Sequence, residues 1–130
     1  MNRRIRLGLA TLALAVAACG GESQVPTNSG DLFVSYFQSG PQAGAFLLTI
    51  TGGTVDNVTA MGGQQVSFNS PFAGTTKVVV AGTLTNGELL RLRVPDVTKV
   101  ADYTVQIEQV ADNTTFALID PSGYSFTVHR

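Results

Sequence analysis

In several segments of the chain apolar and polar residues alternate one by one, the pattern of a strand with one buried and one wet face. Leu90, Leu92 and Val94 fall on one side and Arg91 and Arg93 on the other. Tyr103, Val105 and Ile107 oppose Thr104, Gln106 and Glu108, and Tyr124, Phe126 and Val128 oppose Ser125, Thr127 and His129. Phe46, Leu48 and Ile50 form a further apolar set, with Leu47 making the other face partly apolar. The pattern predicts nine short strands, at 32–37, 45–51, 54–60, 65–69, 76–81, 88–94, 103–111, 115–119 and 124–129. Asn86-Gly87 accepts the positive φ of a type I′ turn and predicts a hairpin between its flanking strands. Residues 96–101, after Pro95, read as one helical turn or a loop.

Eight or nine short strands with half-buried alternation predict an all-β fold, a two-sheet β-sandwich with jelly-roll or Greek-key connections. An immunoglobulin-like sandwich is the alternative, although its Cys-Trp-Cys core is absent. Composition fits a folded domain: 44% of residues are hydrophobic and only 13% charged, too apolar for disorder.

The N-terminal part differs. Arg3, Arg4 and Arg6 precede twelve apolar or small residues, 7–18, which is a positive and then an apolar leader segment. The run falls short of the roughly 20 residues that span a membrane. It ends in Val16-Ala17-Ala18-Cys19-Gly20, which resembles the lipobox of bacterial lipoproteins. The resemblance implies that residues 1–18 are removed and that the Cys19 thiol carries a diacylglycerol, with palmitate-type acylation and a membrane anchor. Gly20 stands where an Asp would favour inner-membrane retention, so an outer-membrane address is expected in a cell that has one. Arg3-Arg4 lies in flanks that fit a twin-arginine signal poorly. Residues 19–30 read as a flexible tether and 31–130 as the β-sandwich domain.

From Gly44 onward the order of features resembles a cohesin-like domain, the jelly-roll of cellulosome scaffolds and carbohydrate-binding modules. The features are Gly44-Ala-Phe-Leu-Leu-Thr-Ile, then Val55-Asp-Asn-Val58, Lys77-Val-Val-Val-Ala, Gly87-Glu-Leu-Leu-Arg-Leu-Arg-Val, Tyr103-Thr-Val-Gln-Ile and Gly123-Tyr-Ser-Phe-Thr-Val. The resemblance implies a module that captures a protein or glycan, and it carries over no ligand-binding residue.

Charge and chemistry narrow the function classes. After residue 18 five Lys and Arg face nine acids, a balance of −4, which leaves no footprint for nucleic acid. The single histidine, His129, falls on an outward position beside the C-terminus and reads as solvated surface. The single cysteine, Cys19, is expected to be acylated. Asp56, Asp112 and Asp120 sit beside turns, which Asp side chains close. Such acids could hold Ca²⁺, but none has EF-hand spacing, and zinc has too few His and Cys. No metal, cofactor or catalytic group is expected. Arg91 and Arg93 are expected to pair with Glu108 or Glu88 where those strands are neighbours. The chain has no Trp; Phe46, Tyr103, Tyr124 and Phe126 fall on core faces. Phe33, Tyr36, Phe37, Phe68, Phe72 and Phe116 are expected to pack mostly inside, with one of the adjacent Tyr36 and Phe37 facing out. The function expected is a lipid-anchored cell-envelope binding module for a protein or glycan; the alternative is a structural or assembly accessory of an envelope complex. An exposed aromatic strip on one sheet face would speak for a glycan, and a bare apolar patch for a protein partner.

Overall fold

A computed structural model describes residues 28–130. The leader, Cys19 and most of the tether lie outside the described residues. The fold is an all-β sandwich of two antiparallel sheets. The strands are β1 (Gly30–Gln38), β2 (Ala43–Thr51), β3 (Asn57–Ala60), β4 (Gln65–Phe72), β5 (Thr75–Ala81), β6 (Gly87–Val94), β7 (Thr104–Asp112), β8 (Leu118–Ile119) and β9 (Tyr124–His129). The four-stranded sheet runs β3-β6-β1-β9 and the five-stranded sheet β4-β5-β2-β7-β8. Only β4–β5 and β7–β8 are hairpins within a sheet; every other connection crosses between sheets.

The one-by-one alternation sets this architecture. Leu32, Val34 and Tyr36 of β1, Leu90, Leu92 and Val94 of β6, and Val58 of β3 are buried. They meet Phe46, Leu48 and Ile50 of β2, Val78 and Val80 of β5, and Val110 of β7. Each full burial of such a side chain contributes about 1.5–3 kcal/mol. Tyr36 and Phe46 meet edge-on at 5.2 Å, and Phe46 also meets Tyr124 and Phe126 edge-on at 5.4 and 5.0 Å, an arrangement favoured by the ring quadrupoles. The phenols find partners: Tyr36 donates to Gln38 Oε1, Tyr124 to the Pro41 carbonyl and Tyr103 to the Thr54 carbonyl. Burial pushes the ionisation of all three phenols upward.

Several expectations need correction. Asn86-Gly87 makes no hairpin, because β5 and β6 belong to different sheets. Residues 82–86 instead cross the end of the sandwich, with Leu84 plugged into the core. Gly87 has φ +126, while Asn86 is not at positive φ and its Oδ1 accepts the Gln38 N–H. The turn residues are real, but burial of Leu84 outweighs the local hairpin preference. The expected strand 54–60 starts only at Asn57, and the expected strand 115–119 shrinks to Leu118–Ile119. Residues 97–102 form a 3₁₀ turn capped by Asp96. Arg93 lies 3.7 Å from Asp31 rather than beside a glutamate, and Glu108 pairs with Lys77. Tyr36 is buried and its neighbour Phe37 faces out, as expected of the adjacent pair, whereas Phe68, Phe72 and Phe116, expected inside, are exposed.

Candidate functional site

Strand register builds a trough across one end of the five-stranded sheet. Gln65 of β4 pairs with Ala81 of β5, Ala81 with Ala45 of β2, Ala45 with Ala111 of β7, and Ala111 with Leu118 of β8. The inward neighbours Phe46, Val80 and Val110 are buried, so alternation turns this row outward. Three alanines side by side leave a low floor where longer residues would rise. The next row, Ser67, Val79, Leu47 and Gln109, is taller.

Loops raise the other walls. Gly44 is an extra residue in β2, since Ala43 pairs with Asp112 and Ala45 with Ala111. Such a bulge bends the strand and re-aims the side chains beyond it. A Cβ on Gly44 would stand 2.7 Å from Asn113 Cα, so glycine lets the β7–β8 loop close against β2. The Asn113 N–H donates to the Gln42 carbonyl and the Gly82 N–H to the Gly44 carbonyl. Gln42 Nε2 donates to the Leu84 carbonyl, which holds the crossing segment down. The resulting cleft has a volume of about 690 Å³, within the usual range for ligand sites. Gln42, Gln65, Thr83 and Asn113 give it amides and a hydroxyl, and Phe116 gives it a phenyl ring. No ionisable side chain lines it. Gly63 also lines it, and a Cβ there would meet nothing within 4 Å.

Phe116 is 69% exposed and sits at φ +57, the one non-glycine residue at positive φ among those described. A bulky side chain rarely adopts that conformation, and it costs on the order of 1–3 kcal/mol. The loop enforces it. Asp112 Oδ2 accepts the N–H groups of Thr114 and Thr115 and the Thr115 hydroxyl, and the Asp112 carbonyl accepts the Phe116 N–H. Those backbone donors, Thr115 and then Thr114, hold the Asp112 carboxyl below its ordinary value. Sequence reasoning placed Phe116 inside a strand and missed the cleft. The one available signal was the run Asp112-Asn-Thr-Thr115, which favours a turn over a strand.

Ala45 and Ala111 of the alanine row, with Leu47, Val79 and Leu118, outline a separate shallow apolar depression of about 220 Å³. Val79 and Leu118 are 45% and 66% exposed. The exposed phenylalanines do not share a face. Phe37 ends β1, Phe72 stands at the β4–β5 turn and Phe116 rides the β7–β8 loop. No aromatic strip runs along one sheet face among the described residues, and an apolar patch, the feature that speaks for a protein partner, is present.

His129 is half-buried rather than fully solvated. Its Nε2 lies 2.8 Å from Ser35 Oγ and 3.7 Å from Glu88 Oε1, and Nδ1 lies 3.2 Å from the Arg130 carbonyl. A relay would need serine and carboxylate on opposite ring nitrogens; here both face Nε2. Among the described residues no three His, Cys, Asp or Glu gather as metal ligands. Asp96, Asp112 and Asp120 each accept the N–H two residues on, as turn-closing aspartates do.

The chain was compared with known protein families, curated proteins and solved structures. No match was found.

Proposed function

We propose that the chain is a lipid-anchored binding module of the bacterial cell envelope. Cys19 carries the anchor, and the trough across the five-stranded sheet captures an envelope glycan or protein. The observation that carries the binding half is the cleft of about 690 Å³, lined by Ala81 and three glycines and walled by amides, with a strained phenylalanine held at its rim. Strain of this kind persists only where the surroundings enforce it, and it concentrates at ligand sites. The anchor half is supported by the lipobox-like Val16-Ala17-Ala18-Cys19 after an arginine-bearing apolar leader. With Gly20 following, the outer membrane is the address in a diderm cell.

Two measurements test it. Intact-mass analysis should find a chain that begins at Cys19 and carries acyl groups; an unmodified chain beginning at Met1 refutes the anchor. The lipidated chain, immobilised in detergent micelles, should bind solubilised envelope fraction. Gly63→Leu fills the cleft where there is room, so it should abolish that binding without lowering the melting temperature.

The apolar depression favours a second reading, an assembly accessory that docks on a membrane-anchored protein through Leu47, Val79 and Leu118. Envelope binding that survives Gly63→Leu and is lost in Val79→Ser selects it.

A further inference from the structure

We infer that the trough takes a short segment of neutral saccharide, seated with one ring face on Phe116 and its hydroxyl edge on the amides. The inference rests on the binding-module reading and specifies its ligand.

Three observations combine. First, the polar lining is uncharged: Gln65, Gln42 and Asn113 supply amides and Thr83 a hydroxyl. A primary amide both donates and accepts, as a hydroxyl does, so this set matches the paired donor and acceptor character of sugar hydroxyls. A carboxylate or phosphate ligand would call for a cation, and none lines the cleft. The chain after residue 18 carries five Lys and Arg against nine acids, so it repels polyanions. Second, Phe116 offers a bare ring that is 69% exposed. The weakly positive C–H face of a pyranose complements the negative face of a phenyl ring. A buried hydrophobic anchor would instead need an enclosed apolar pocket, and this cleft is open. Third, among the described residues no aromatic strip runs along a sheet face, the feature that would speak for an extended glycan laid along the sheet, so a long crystalline chain has no flat platform. One ring at the end of a trough suits a short or terminal segment.

The amide register fits the same division. Gln42 is committed on both sides, donating to the Leu84 and Ala43 carbonyls and accepting from Gln38 Nε2. Asn113 Oδ1 accepts from the Thr114 hydroxyl. Gln65 and Asn113 are both exposed. Gln42 thus braces the wall, and Gln65 and the Asn113 Nδ2 group are the hydroxyl-reading contacts.

The full-length chain in detergent micelles is applied to an array of neutral gluco-, manno-, galacto- and xylo-oligosaccharides. The same array carries uronic-acid and sulfated counterparts of the same backbones. At least one neutral series should bind, its charged counterpart at least tenfold more weakly. Phe116→Ala and Gln65→Ala should each weaken that binding at least tenfold with the melting temperature unchanged or higher. Equal or tighter binding of the charged counterparts overturns the proposal, as does retention of binding in Phe116→Ala. Silence across the array overturns it too. If Gly63→Leu still blocks binding to envelope fraction, and that binding resists periodate but not protease, the saccharide is wrong while the module stands. If envelope binding is indifferent to Gly63→Leu, the module reading itself falls.

Discussion

The two ends of β2 use glycine in opposite ways. At its C-terminal end the chain closes. Gly52 has φ +102, and a Cβ there would stand 1.7 Å from the Asp102 carbonyl oxygen; a Cβ on Gly53 would stand 2.6 Å from the Tyr103 ring. Tyr103 caps that end by donating to the Thr54 carbonyl at 2.6 Å. The cleft left there measures about 300 Å³ and is bordered by Asp96, Lys99 and Asp102. At the N-terminal end the chain opens. Gly44 lets a loop come close, but Gly63 faces empty space, and the alanine row leaves the sheet surface low. Two glycines side by side in sequence therefore say nothing by themselves. Gly52-Gly53 is packed because backbone and a ring press on it, and Gly63 is free because nothing does.

Substitutions can break or sharpen this contrast. Gly52→Ala combines a forbidden φ with a backbone collision, and should cost about 3 kcal/mol. For a domain of this size that lowers the melting temperature by roughly 15 °C, as thermal circular dichroism would show. Below the transition, binding at the other end should be unaffected. Phe116→Gly acts in the opposite direction. It releases the strained φ, loses little packing because the ring is exposed, and should raise stability by about 1 kcal/mol while binding is lost. Activity and stability trade against each other at such sites. Gly63→Leu should leave denaturant stability within about 0.5 kcal/mol. A large loss would show that the open space is not there.

Acid should separate loops from core more gently. Thr98 holds Asp96 below its ordinary value through a side-chain and a backbone hydrogen bond; Ser122 lowers Asp120 through its N–H, and Lys77 and then Thr49 lower Glu108. Asp112 behaves alike through Thr115 and Thr114. These carboxyls ionise more readily folded than unfolded. Their stabilisation is complete above the unfolded carboxylate value of about 4. It is lost as pH falls through the lower folded values. Melting temperature should be flat from about pH 5 to neutrality with respect to these groups and decline below about pH 4. Asp112→Ala should flatten part of that decline.

The sandwich was legible because alternation is a two-residue property, and Leu90-Arg-Leu-Arg-Val94 states it without help from the rest of the chain. Strand ends were less legible. β7 carries its own bulge, because Leu47 pairs with Gln109 and Leu48 with Ile107, leaving Glu108 over. That extra residue sends Glu108 towards Thr49 and Lys77. Asn86-Gly87 misled because turn propensity is local, whereas the burial of Leu84 depends on the opposite sheet. The trough was not legible. Ala45, Ala81 and Ala111 lie far apart in sequence, and only the pairing of β5, β2 and β7 sets them in a row. Cys19 shows the reverse case, a proposed site argued from neighbouring residues alone and lying outside the described residues.

The most direct test is amide NMR of the isotopically labelled full-length chain in micelles, with and without solubilised envelope fraction. Binding at the open end should perturb Gly63, Gln65, Thr83, Asn113 and Phe116 and leave Gly53, Asp96, Lys99 and Tyr103 in place. Perturbation centred on the Tyr103 end, or no perturbation at all, would contradict the account.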